Sequence, residues 1–127
     1  PGKRPMSTMN PVIVKNKDNN ISIITGSPGG SFIPAAALRV ITGIIDFNLD
    51  VGQATMLPRI HKDWPYAGLE YESTLSSDII SVLERLGHQP EASKTLGSTQ
   101  SISIIDGINY GYADLRRPNA GVAIQVD

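Results

Sequence analysis

Two short stretches concentrate the residues able to do chemistry. The first, "TGSPGGS" from Thr25 to Ser31, sets a Gly-Gly pair behind Ser-Pro, between the apolar run Ile21 to Ile24 and a long apolar stretch that begins at Phe32. After a strand and before a helix, Gly29 and Gly30 remove Cβ atoms where backbone must approach a ligand closely, and the helix start offers unpaired N–H groups at the same place. That geometry suits negative charge, as a bound anion or as a reacting oxygen. The segment lacks the Gly-x4-Gly-Lys-Ser/Thr order of a P-loop and has no Lys beside it, which disfavours nucleotide phosphate. A plain glycine-rich turn into a helix is the competing reading.

The second stretch, "KRPMSTMNP" from Lys3 to Pro11, places the adjacent hydroxyls of Ser7 and Thr8 just before an apolar run. Adjacent hydroxyls with backbone N–H groups can hold a carboxylate, although an ST-turn leading into a strand accounts for the same residues. No set of nucleophile, base and orienting group can be assembled from spacing: Asp63 near His61 reads as surface pairing, and there is no Gly-x-Ser-x-Gly elbow. His61 and His88 are the only imidazoles, they stand far apart, and there are no cysteines, so neither a metal nor another cofactor is expected. Pro1 would serve as a base only as a true N-terminus. The opening "PGKRPMSTM" has no initiator Met and no signal-peptide core, and reads as processed or excised from something longer.

The chain that carries these stretches has 127 residues, enough for one domain, and its 40% hydrophobic content is ordinary for a globular protein. Eleven basic residues against twelve acidic ones give a net charge of -1, and the basic doublets are confined to Lys3-Arg4 and Arg116-Arg117. That balance excludes the electrostatic footprint of a nucleic-acid binder. The longest apolar stretch, Phe32 to Phe47, includes Arg39 and Asp46 and falls short of the roughly 20 residues that span a bilayer, so it reads as a buried helix.

The elements that must position the two stretches follow from pattern. Val12 to Val14 and Ile21 to Ile24 are β-branched runs joined by the polar turn "KNKDNN", which predicts a hairpin. Ser31 is placed to cap a helix with Pro34 in its first turn, running to about Phe47 and, being apolar on nearly every side, covered on more than one face. Asp50 and Gln53 have capping-box spacing for a short helix over 51–56, ended by Pro58. "PRIHKDW" and "LEYE" offer further strands. Leu75, Ile79, Val82, Leu83 and Leu86 keep helical spacing, with Thr74 as a candidate cap and Gly87 as the stop, and predict an amphipathic helix lying on a sheet. "TQSISIIDGINYGYA" alternates and carries Asp106-Gly107, a strong two-residue hairpin signal, and the tail adds a final strand at Val122 to Val126 or lies as an arm. The order predicts an α+β domain with a mostly antiparallel sheet and flanking helices.

Taken together and in order, "GKRPMSTMNPVIV", "TGSPGGS" with the apolar helix behind it, "LPRIHKDW", "LGSTQSI" and "GYADLRRPNAGVA" resemble the C-terminal part of the small subunit of the γ-glutamyltransferase (γ-glutamyltranspeptidase) family. The resemblance covers essentially the whole chain. It implies an N-terminal-nucleophile hydrolase fold, an αββα sandwich completed by a large subunit and by the remainder of the small subunit. It further implies a γ-glutamyl substrate such as glutathione, cleaved or transferred through a γ-glutamyl-Thr intermediate whose Thr uses its own amino group as base. By the same resemblance Gly29 and Gly30 supply oxyanion-hole N–H groups, and Ser7 and Thr8 bind the α-carboxylate of the γ-glutamyl group. The family usually has Ser-Ser at the second pair, so Thr8 brings an additional methyl. The family's nucleophilic Thr and the residues that grip the α-amino group precede the region seen here, so this chain alone is expected to be catalytically silent and to self-associate or need a partner. A periplasmic, extracellular or cell-surface location is also implied. A carboxylate-binding or structural relative without chemistry is the alternative.

Overall fold

The computed structural model describes residues 1–4, 9–65 and 68–123. Ser7 and Thr8 lie outside the described residues. β1 (Val12–Lys15) and β2 (Ile21–Gly26) form the expected hairpin, with Ile13 opposite Ile24. The polar turn closes on Asn16, whose side-chain oxygen accepts from the N–H groups of Asp18 and Asn20, while Asn19 takes φ 65°. α1 (Phe32–Ile45) follows, then α2 (Val51–Met56), whose capping box is complete: Asp50 accepts from Gln53 N at 2.7 Å and Gln53 returns a bond to Asp50 N at 3.2 Å.

β3 (Ile60–His61) and β4 (Gly68–Glu72) pair antiparallel, and α3 (Ser77–Arg85) crosses to β5 (Gln89–Ser93), which pairs parallel with β4. β6 (Gln100–Ile105) and β7 (Ile108–Ala113) close the chain's second hairpin through Asp106 and Gly107, both at positive φ, as a primed turn requires. The strands sort into an antiparallel sheet of order β1-β2-β6-β7 and a smaller sheet of order β3-β4-β5.

One face of the larger sheet is packed and the other is open. Ile23, Thr25, Ser101 and Ser103 are buried, and Thr25 and Ser101 satisfy their hydroxyls on each other at 2.8 Å. α1 and α2 lie against this sheet and fill the core with Ile33, Ala36, Ala37, Val40, Val51 and Ala54. On the opposite face Ile13, Ile24 and Ile102 stand in register across three strands, with Ile13 59% and Ile102 38% exposed.

Several expectations need correction. Ser31 occupies the N-cap position of α1 but makes no side-chain capping bond, because its backbone is already helical at φ -64°, ψ -22°. α3 begins two residues later than its apolar spacing suggests, with Ser76 rather than Thr74 at its N-cap, and none of its residues is buried. Ile79 and Val82 of α3 and Leu86 at its C-cap are exposed, as are Leu38 and Ile45 of α1 and Phe47 just beyond it, so neither helix is covered to the extent its composition predicts. β5 carries Pro90 and Glu91 and has no alternating signal, which is why pattern alone misses it. The final strand or arm expected over Val122 to Val126 falls mostly outside the described residues; Val122 lies against Gly111, where a Cβ would meet its Cγ1 at 3.1 Å.

Candidate functional site

Gly29 and Gly30 sit where β2 runs out and α1 begins. Both take positive φ, 138° and 59°, conformations that side-chain-bearing residues rarely adopt. Their carbonyls are engaged by the first turn of the helix, accepting from Phe32 N at 3.1 Å and Ile33 N at 3.2 Å. Among the described residues neither glycine's N–H has a hydrogen-bond acceptor. Two consecutive donors therefore remain available at the electropositive end of a 14-residue helix.

The loop is braced by a second glycine loop. A Cβ at Gly29 would stand 3.3 Å from the Gly97 Cα, and one at Gly97 would stand 2.8 Å from Ser27 Oγ and 3.1 Å from Ala36 Cβ. Ser27 ties the two together, donating to the Pro28 carbonyl at 2.7 Å and accepting from Ser98 N at 3.0 Å. A pocket of about 230 Å³ opens between the two loops. The antiparallel pairing of Val12 with Thr25 brings the chain into β1 at this same end of the sheet, with Pro11 3.7 Å from where a Cβ on Gly26 would lie. Met9 to Pro11 thus lie at the end of the sheet from which β2 leads into the Gly29-Gly30 loop.

Behind the Gly97 loop lies a charge network that spacing alone does not reveal. Arg59 is buried and donates to Asp114 Oδ2 at 2.7 Å, to the Thr55 and Leu96 carbonyls and to Thr99 Oγ1. Arg116 makes a two-pronged contact with Glu72, at 2.7 Å from Nε and 2.6 Å from an Nη, and reaches Asp114 Oδ1 at 3.1 Å. Glu72 also accepts from Leu96 N and Arg59 N, and Asp114 from Thr99 N and Arg116 N. Two cations and two carboxylates cancel, and nearly every lone pair has a donor, which is the condition under which buried charge is tolerated.

Burial pushes the Asp114 carboxyl up, but the Arg116 N–H, the Arg59 guanidinium and the Thr99 N–H outweigh it and hold it below the usual carboxylate range. Glu72 behaves alike: burial raises it, and Arg116 with the Leu96 and Arg59 N–H groups brings it down. For Arg59, burial and the neighbouring Arg116 lower its pKa. Arg116 is raised, because Glu72 and Asp114 outweigh its own desolvation. The network clamps the main chain of Leu96 from both sides and so fixes the loop that braces Gly29.

His61 and Asp63 do pair, at 2.8 Å, beside the start of α1, with the His61 ring edge-on to Phe32 at 4.8 Å. The bond from His61, followed by one from the Ser31 hydroxyl, holds the exposed Asp63 carboxyl below its ordinary range. His61 is largely buried and Asp63 exposed, so the pair reaches the surface through its carboxylate. No group of His, Cys, Asp and Glu suited to a metal ion occurs among the described residues.

A sequence model of the family described as gamma-glutamyltranspeptidase matches residues 1–124. The glutathione hydrolase proenzyme of Escherichia coli strain K12 is 42% identical over 117 residues, covering 91% of this chain and 20% of that protein. That of Bacillus subtilis strain 168 is 34% identical, covering 99% of this chain and 22% of that protein. The chain thus spans about a fifth of the length of these curated relatives. Among solved structures, a mutant gamma-glutamyltranspeptidase of Helicobacter pylori superposes with a TM-score of 0.84 at 34% identity, over 91% of this chain and 64% of that one.

Proposed function

This chain belongs to the gamma-glutamyltranspeptidase family, with its N-terminal-nucleophile hydrolase fold, and from that premise we propose that it is the C-terminal part of a small subunit. In the full-length protein it forms the oxyanion and carboxylate-binding wall of an enzyme that hydrolyses or transfers the γ-glutamyl group of glutathione and related compounds. The observation that carries the reading is the pair of unengaged N–H groups on Gly29 and Gly30 at the start of α1.

The nucleophile comes from outside this chain. A Thr hydroxyl attacks the γ-carbonyl carbon and passes its proton to the Thr amino group, while the carbonyl π electrons move onto oxygen. The Gly29 and Gly30 N–H groups donate to that oxyanion, where charge appears only in the transition state. Collapse breaks the C–N bond, the proton moves to the departing amine, and a γ-glutamyl ester remains. Water or an acceptor amine then repeats the sequence and frees the Thr. Ser7 and Thr8 hold the α-carboxylate.

Partners follow from surface. The open isoleucine face of the larger sheet, with the exposed Leu38 of α1 and Phe47 just beyond that helix, are the sides on which a large subunit and the rest of the small subunit pack. Among the described residues no helix is long and apolar enough to cross a membrane. A periplasmic, extracellular or cell-surface location is part of the same proposal.

The test is product release from a γ-glutamyl anilide by the full-length protein. Gly29→Pro, which deletes that residue's N–H, lowers kcat by roughly 10²–10³-fold, the effect of losing an oxyanion donor. Gly30→Ala, whose Cβ meets open space and whose φ of 59° costs a side chain only about 1–2 kcal/mol, has the smaller effect. An unchanged kcat for Gly29→Pro sinks the assignment. A full-length protein that binds γ-glutamyl compounds without turning them over supports the carboxylate-binding relative instead.

A further inference from the structure

Gly29 has two close neighbours: a Cβ there would stand 3.3 Å from Gly97 Cα and 3.5 Å from Phe32 Cβ. The charge network holds the first of them. Phe32 opens α1, is only half-buried, and donates its N–H to the Gly29 carbonyl at 3.1 Å. Its support comes from β3. His61 pairs with Glu70 in the smaller sheet, and its ring stands edge-on to Phe32, with centroids 4.8 Å apart and planes at 89°. An edge-to-face contact depends on how the ring is turned. The His61 ring is held by Asp63, whose Oδ1 lies 2.8 Å from Nε2; a carboxylate only accepts, so Nε2 carries the proton. The same carboxylate accepts from the Ser31 hydroxyl. Ser31 makes no capping bond at the start of α1, which leaves its side chain free for that contact. One carboxylate thus acts on both residues that follow the glycine pair, on Ser31 directly and on Phe32 through His61.

We propose that Asp63 is a positioning residue for the oxyanion loop, setting the first turn of α1 by orienting the His61 ring against Phe32 and by holding Ser31. The inference rests on the reading of Gly29 and Gly30 as oxyanion donors. The Gly29 carbonyl and the Gly30 N–H belong to one planar peptide unit. The bond from Phe32 N that holds the carbonyl therefore also sets the direction in which the Gly30 N–H points. Asp63 touches no substrate in this scheme; it acts through His61, Phe32 and that peptide plane. A displacement of about 1 Å at a reacting centre costs up to roughly 10²-fold in rate, so a brace that moves the donor by a fraction of that distance is felt in turnover.

The experiment measures kcat and KM of the full-length protein on a γ-glutamyl anilide, together with its melting temperature. Asp63→Ala lowers kcat about three- to tenfold, the effect of one lost hydrogen bond, and leaves KM unchanged because the oxyanion exists only in the transition state. Its melting temperature stays that of the unaltered protein, since a side chain 42% exposed leaves no cavity when truncated. Asp63→Asn, which keeps an acceptor for His61 Nε2, recovers most of the rate. In a double-mutant cycle with His61→Ala the two losses are not additive, as expected for residues acting along one route. An unchanged kcat for Asp63→Ala overturns the proposal. A raised KM with kcat intact also overturns it, since that assigns the carboxylate to substrate binding, and so does a loss of kcat that comes with a fall in melting temperature, the mark of a merely structural role. Failure of the oxyanion reading shows separately, as a Gly29→Pro variant that turns over the anilide normally.

Discussion

Asp114→Asn is the sharpest perturbation of the scaffold. The carboxylate is fully buried, and the groups around it are all donors: the Arg59 and Arg116 guanidinium groups and the N–H groups of Thr99 and Arg116. An amide of the same shape must turn its NH₂ toward some of those donors, so the change removes a charge and sets donor against donor. It also leaves Arg59, 2% exposed, beside Arg116 with only Glu72 to offset the two cations. Removing one partner of a buried ion pair costs about 3–5 kcal/mol. At about 1.36 kcal/mol per factor of ten, local opening becomes at least 10²-fold more frequent. The assay is amide hydrogen exchange of the full-length protein, read on the peptide that spans Leu96 to Ser103. Exchange at Thr99, whose N–H donates to Asp114 at 2.9 Å, accelerates by that factor. Acceleration of less than a few-fold refutes the argument that the network holds this loop.

The same carboxylates set an acid limit. Their folded pKa values lie below the unfolded ones near 4, so their stabilisation is complete above that pH and is lost as pH falls through the depressed values. The melting-temperature difference between the unaltered protein and Asp114→Asn accordingly shrinks below pH 4; a difference independent of pH would contradict this. Gly97→Ala must displace Ser27 or Ala36 and, with them, Gly29, so it lowers kcat on a γ-glutamyl anilide at least tenfold, whereas Gly107→Ala, whose Cβ meets open space, leaves kcat alone. Asp50→Ala breaks the capping box and costs about 1 kcal/mol, measured by denaturant unfolding, with no change in KM. Ile102→Asp on the open sheet face prevents the chain from co-purifying with the large subunit proposed to cover that face.

What was legible in the residues was local. The Asp106-Gly107 turn, the Asp50 and Gln53 box and the glycines at the start of α1 are each specified within a few positions, by backbone conformations or bonds that only certain residues supply. The charge network is not local: Arg59 meets Asp114 across 55 positions and Glu72 meets Arg116 across 44, and neither separation carries a pattern. β5 is likewise defined by its parallel partner rather than by its own composition. The apolar stripe of α3 was read correctly as a stripe, but it predicted burial that this chain does not itself provide.

The pairing of β2 with β6 has a consequence for how the protein is made. Gly26 sits opposite Gln100, so everything between them is a closed loop within one sheet. Each hairpin can form early from neighbouring residues, but joining them must wait until both have been synthesised, and long-range strand pairing of this kind is slow. Gly97, which wedges the Gly29 loop into place, belongs to that late segment. Between the synthesis of Gly30 and that of Gly97 a nascent chain therefore carries its glycine pair without the wall that shapes it.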